Sequence, residues 1–170
     1  VDAVRDALAL LEADEVGDLL DSIVEKTYRN AVFRSGTIGG YTAAAVDGVE
    51  LFSSTKKSCR KCLTRKNKAG QTEYFHRSVV CASIGHSPHV VLGQEMLTPR
   101  DGGEKDEGEL TGGKRLVRDL HRKFGHFADV IVADALYLNA PFLNTVLDCH
   151  MDAVIRLKDE ERLIYKLSLI

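Results

Sequence analysis

The chain reads as an α/β domain: a mixed sheet with helices packed against it, preceded by a helical segment. Three observations predict this. Apolar residues keep helical spacing up to about Phe33, then give way after a glycine-rich breaker to short β-like runs, and the final stretch alternates helix and strand patterns. At 170 residues and 44% hydrophobic, the chain has enough apolar material to bury the core of one domain.

The elements follow in order. Val4, Ala7, Leu8 and Leu11, then Val16, Leu19, Leu20, Ile23 and Val24, mark two amphipathic helices or one broken near Gly17, within a helical segment over 1–36. RSGTIGG, Arg34 to Gly40, is a boundary. YTAAAVDGVELFSS, Tyr41 to Ser54, predicts a buried small-residue strand, and Thr55 to Gly70 a basic connection. EYFHRSVVCASIG and HVVLGQEMLTP predict two more strands around a turn at Gly85 to Pro88, completing a meander of three antiparallel strands. Pro99 to Gly113 is an acidic, glycine-rich loop. The helix after it carries Leu116, Val117, Leu120 and Phe124 and stops at Gly125. A strand over Asp129 to Asp134, a helix around Pro141 to Cys149 and a strand over Asp152 to Lys158 finish a sheet domain spanning 41–170.

Composition narrows the function. The apolar runs are too short to cross a bilayer, and the N-terminus is acidic where a leader would be basic, so no membrane role and a cytoplasmic location are expected. The net charge of −2 gives no overall attraction to nucleic acid. Without a secretory signal, the four cysteines do not suggest a disulfide framework. The chain begins within a helical pattern and stops at RLIYKLSLI without a polar tail, as a fragment would.

Two aspartates stand in matching contexts. Asp47 follows TAAAV and precedes Gly48; Asp134 follows VIVA and precedes Ala135. An ionised carboxylate after a buried strand costs several kcal/mol, about the penalty of an unpaired buried charge, unless something compensates it. Mg²⁺ shared between the two would do so, since it favours hard oxygen ligands, and paired ions of this kind serve phosphodiester displacement. The alternative is structural: Asp47 begins a turn with Gly48, and Asp134 caps a helix.

Local charge adds a second pattern. Lys56, Lys57, Arg60, Lys61, Arg65, Lys66, Lys68 and Arg77 face the single acid Glu73, in a segment that follows Asp47 closely and suits a nucleic-acid backbone. A solvated loop is the alternative. Within this segment Cys59 and Cys62 form CRKC, and with His76 or Cys81 they offer ligands for zinc. His76 and Cys81 are an odd number of strand positions apart and so point to opposite faces; Cys81, between Val80 and Ala82, suits the core. Glu109 precedes the helix predicted from Thr111 and favours its N-terminal end electrostatically.

The blocks AVDGVELFSSTKKSCRKCLTR, EYFHRSVV, VIVADALYLNAPFL and VIRLKDE, in that order over roughly Tyr41 to Glu161, resemble DDE transposases of the IS4-like insertion-sequence group. VADALY is the most specific of them. The resemblance implies an RNase H-like catalytic domain, incomplete at its C-terminus, with Asp47 and Asp134 as its first and second catalytic aspartates holding Mg²⁺ or Mn²⁺. It implies DNA strand cleavage and strand transfer, insertion-sequence ends and target DNA as partners, and a homodimer in the full-length transpososome. Lys56, Lys57, Arg60, Lys61 and Arg65 are the expected DNA-backbone contacts. A third acid, a Glu within a Y-x2-R-x3-E-x6-K signature, is also implied, and Glu160, Glu161 and Tyr165 do not fit that spacing, which places it beyond Ile170. The rival expectation is a non-catalytic nucleic-acid-binding remnant of a transposase, stabilised by zinc on Cys59, Cys62 and His76. An RNase H-like nuclease unrelated to transposition would share the aspartates.

Overall fold

Small side chains at the start of AAAVDGVELFSS let other strands pack closely on both sides of it, and it becomes the central strand β1 (Ala43–Ser54). The computed structural model describes residues 2–11, 13–99 and 106–157. Around β1 lie β2 (Leu63–Lys66), β3 (Thr72–Ile84), β4 (Val91–Met96), β5 (Val130–Ala133) and β6 (Asp152–Ile155). They form one six-stranded mixed sheet in the order β2-β3-β1-β5-β6, with β4 also paired to β3. β3 is antiparallel to β1, β2 and β4, whereas β5 is parallel to β1 and to β6. β2 and β4 therefore occupy successive stretches of one side of β3, with β1 along the other.

Four helices complete the fold: α1 (Asp2–Ala9), α2 (Ala13–Arg29), α3 (Glu109–Phe124) and α4 (Ala140–Asp148). The α/β class and the order of the last elements match the sequence expectation. Three details differ. The break in the N-terminal helices falls before Ala13, and Gly17 lies inside α2, where a Cβ would meet nothing within 4 Å. The basic connection contains β2, so four strands rather than three precede α3; Leu63, 2% exposed, is the one residue that anchors that short strand in the core. A 3₁₀ turn, Ala135–Tyr137, intervenes between β5 and α4. Lys158 and the C-terminal acids Glu160 and Glu161 lie outside the described residues.

The helical segment shares the sheet's core. Val24 of α2 is buried in it, the Tyr28 hydroxyl donates to the Phe127 carbonyl at 2.6 Å, and Asp21 pairs with Lys123 of α3 at 2.8 Å. The acidic loop is anchored at its end: Asp106 accepts from the Thr64 amide at 2.7 Å, while buried Glu107 pairs with Arg115 and accepts from the Thr98 amide at 2.9 Å.

Two consecutive glycines near the start of α3 let its neighbours pack against the helix backbone, Leu97 and Val79 at Gly112, and Tyr137 and Phe142 at Gly113. A Cβ on Gly112 would lie 2.4 Å from Leu97 Cδ2, and one on Gly113 would lie 2.8 Å from Tyr137 Cε1. Mid-helix glycine costs about 1 kcal/mol against alanine, so close approach is what these positions supply in return. Gly113→Ala should recover that propensity but overpack a fully buried Tyr137 ring by about 1–3 kcal/mol. A net destabilisation is expected, read as a lower urea midpoint at unchanged m-value.

Candidate functional site

The parallel pairing of β1 with β5 runs from Ala43↔Val130 to Val46↔Ala133. Asp47 and Asp134 are the next residue on each segment, directly beyond the last paired residues of the ladder. Asp47 is exposed and Asp134 half-buried. β1 continues past Asp47 along β3, whereas β5 ends at Ala133, which leaves the two carboxylates where the parallel sheet stops.

Both aspartates also do local work. Asp47 Oδ1 accepts from the Gly48 amide at 2.8 Å, and Asp134 Oδ1 caps the 3₁₀ turn by accepting from the Leu136 amide at 2.8 Å. Capping and convergence are thus compatible: the turn that Asp134 caps is what directs the chain away from the sheet at that point.

A third carboxylate lies near enough for the charges of both to act on it, without the oxygens of all three falling within 4.8 Å of one another. Glu109, the first residue of α3, comes so close over β1 that a Cβ on Gly48 would sit 2.2 Å from its Oε2. Arg77 of β3 donates to Glu109 Oε1 at 2.5 Å. Desolvation raises the Glu109 carboxyl above the ordinary glutamate range; Arg77 opposes this, and the charges of Asp47 and Asp134 add to it. The same three carboxylates reach Tyr137, whose phenol is pushed up first by burial and then by their charge. Its hydroxyl is buried without a hydrogen-bond partner among the described residues.

Sequence reasoning assigned Glu109 only to the helix end. Its place depends on the height of α3 over β1, and the available signals were Gly48 directly after Asp47 and the Gly112–Gly113 pair.

The basic residues divide into two groups. Lys56, Lys57, Arg60 and Lys61 are exposed on the β1–β2 connection. Arg65, also expected on a nucleic-acid backbone, pairs with Glu50 at 2.6 Å and Glu73 at 2.7 Å on the adjacent strands, and its guanidinium lies 4.6 Å from the Phe75 ring centroid. Charge along the sequence cannot distinguish a cation held by acids on adjacent strands from one facing solvent.

On the same connection Cys59, Cys62 and His76 come together. Among the described residues, they form the one group of three or more potential ligands whose donor atoms all lie within 4.8 Å of one another, so they could hold a metal ion. Cys81 is fully buried elsewhere in the core, its thiol pushed up to about 12 by desolvation, as the odd strand offset from His76 required.

Because the fold raises the Glu109 carboxyl, its contribution to stability is present below the unfolded value of about 4.3 and is lost as pH rises through the folded value. Without divalent cations, the stability of the wild type relative to Glu109→Gln should therefore fall between pH 4 and pH 7; urea denaturation at both would show it, and a constant difference would contradict it. No protein-family model, curated protein or solved structure matches the chain.

Proposed function

We propose that the chain is the catalytic core of a DDE transposase, cleaving and joining DNA strands with Mg²⁺ or Mn²⁺ on an RNase H-like sheet. The observation that carries this is that Asp47 and Asp134 each directly follow the last pair, Val46↔Ala133, of the parallel β1–β5 ladder. The strand order β4-β3-β1-β5-β6, antiparallel in its first part and parallel in its second, with α3 and α4 between the parallel strands, supports the fold assignment.

The residues present fit a hard divalent cation. The donors are carboxylate oxygens; the Glu109 carboxyl is raised mainly by desolvation, with the charges of Asp47 and Asp134 adding to it, and a cation would offset that added part. Asp47 and Asp134 would hold Mg²⁺, which supplies the positive charge that activates an attacking water or 3′-hydroxyl and relieves charge on the leaving oxygen. Arg77 holds the Glu109 carboxylate in place. Gly48 makes room for the Glu109 carboxylate over the strand, and Lys56, Lys57, Arg60 and Lys61 would neutralise phosphates of a bound strand.

Glu109 favours a second reading within the same chemistry. With a third carboxylate inside the described chain, phosphodiester hydrolysis would not require an acid from a downstream signature, as in a nuclease unrelated to transposition. The Cys59, Cys62 and His76 group supports the alternative of a zinc-stabilised nucleic-acid-binding module without catalysis.

In Mg²⁺ the protein should nick supercoiled plasmid DNA. Asp47→Asn and Asp134→Asn should each reduce nicking beyond the roughly 10–100-fold typical of second-shell changes, and undiminished nicking by Asp134→Asn would exclude the proposed site. Loss of nicking in Glu109→Gln would assign the third carboxylate to Glu109; retention would leave that position to another acid.

A further inference from the structure

We infer that Cys59, Cys62 and His76 bind one Zn²⁺ ion, which clips the β1–β2 connection onto β3 and orders the basic residues it carries. The strand register brings the ligands together. Leu63 of β2 pairs with Phe75 and Phe52 of β1 pairs with His76, so that Cys62, one residue before β2, arrives beside His76. The turn Cys59–Cys62, closed by the Cys62 amide donating to the Cys59 carbonyl at 3.2 Å, returns the first thiol to the same point.

The spacings are those of a tetrahedral face. Cys59 Sγ lies 3.3 Å and Cys62 Sγ 3.4 Å from His76 Nε2, and the two sulfurs are 3.7 Å apart. With Zn–S near 2.3 Å and Zn–N near 2.0–2.1 Å, tetrahedral geometry requires about 3.8 Å between sulfurs and about 3.6 Å from sulfur to nitrogen. A disulfide would need about 2.05 Å between sulfurs, so the two thiols are placed as co-ligands. The Cys59 amide donates to Cys62 Sγ at 3.2 Å, the outer hydrogen bond that a ligating sulfur uses.

Ligand chemistry favours zinc. Two thiolates and a neutral imidazole leave the ion without net charge, and sulfur with nitrogen selects against Mg²⁺. Cys62 is buried and Cys59 exposed, so the group reaches the surface on its Cys59 side. Closing the site would tie a connection carrying Lys56, Lys57, Arg60 and Lys61 to the centre of the sheet. The inference is independent of Asp47 and Asp134.

The test is titration of the reduced, metal-free protein with Co²⁺. Uptake should saturate at one equivalent, with thiolate charge-transfer absorption and the visible bands of tetrahedral cobalt, and Zn²⁺ should displace it. Cys59→Ser, whose exposed position keeps the fold, and His76→Ala should lose both signals while retaining the wild-type far-UV circular dichroism. Zn²⁺ should slow tryptic cleavage after Lys56, Lys57, Arg60 and Lys61 in the wild type and leave Cys59→Ser unchanged. Failure to take up one equivalent, an unaltered cobalt spectrum in the variants, or tryptic rates insensitive to Zn²⁺ would overturn the inference.

Discussion

The arrangement depends on one pairing, β1 parallel to β5 with Val46 opposite Ala133. A parallel pair cannot be joined by a hairpin, so the chain must leave the end of β1, build the antiparallel strands, and return across the sheet. α3 makes that return. Sliding β5 by one residue would turn Ile131 and Ala133 out of the core and move Asp134 to the other face, so the burial that stabilises the strand also fixes where the carboxylate stands.

The height of α3 sets the third charge. Gly112 and Gly113 admit Leu97 and Tyr137 against the helix backbone, and the same close approach brings Glu109 over Gly48. Three carboxylates then lie in one region with Arg77 as the cation bonded to one of them, and the dominant effect on Glu109 is loss of water. Helix-end electrostatics favours a negative Glu109 by only about 0.3–1 kcal/mol at an exposed end, and burial outweighs it here. A group held in a less favourable charge state than the bulk would give it is a property of sites more often than of scaffolds.

How far this was legible in the sequence varies with the kind of information each feature needs. Asp47 and Asp134 could be singled out because a charge directly after an apolar strand is a local conflict, visible without knowing the fold. The exclusion of Cys81 from the His76 side followed from strand parity alone. Glu109 was not legible, because its role arises from a helix-to-sheet distance set by glycines elsewhere in the chain. The ion pairs of Arg65 were not legible for a related reason: Glu50 and Glu73 become its neighbours only once β1, β2 and β3 are in register. β2 escaped notice because one buried leucine in a polar run carries no period.

Consecutive residues of β3 serve two different chemistries. Arg77 pairs with Glu109, while His76 meets Cys59 and Cys62, and the pleat separates these neighbours by placing them on opposite faces. Ligand softness keeps the two groups distinct, oxygen donors suiting Mg²⁺ or Mn²⁺ and thiolates suiting zinc. Both are referenced to the same strand, so a basic connection fixed at His76 would hold a constant position relative to Asp47 through the β1–β3 ladder. A flexible loop would meet a polyanion anywhere within its reach. A loop clipped to the ladder would present its charges at one register.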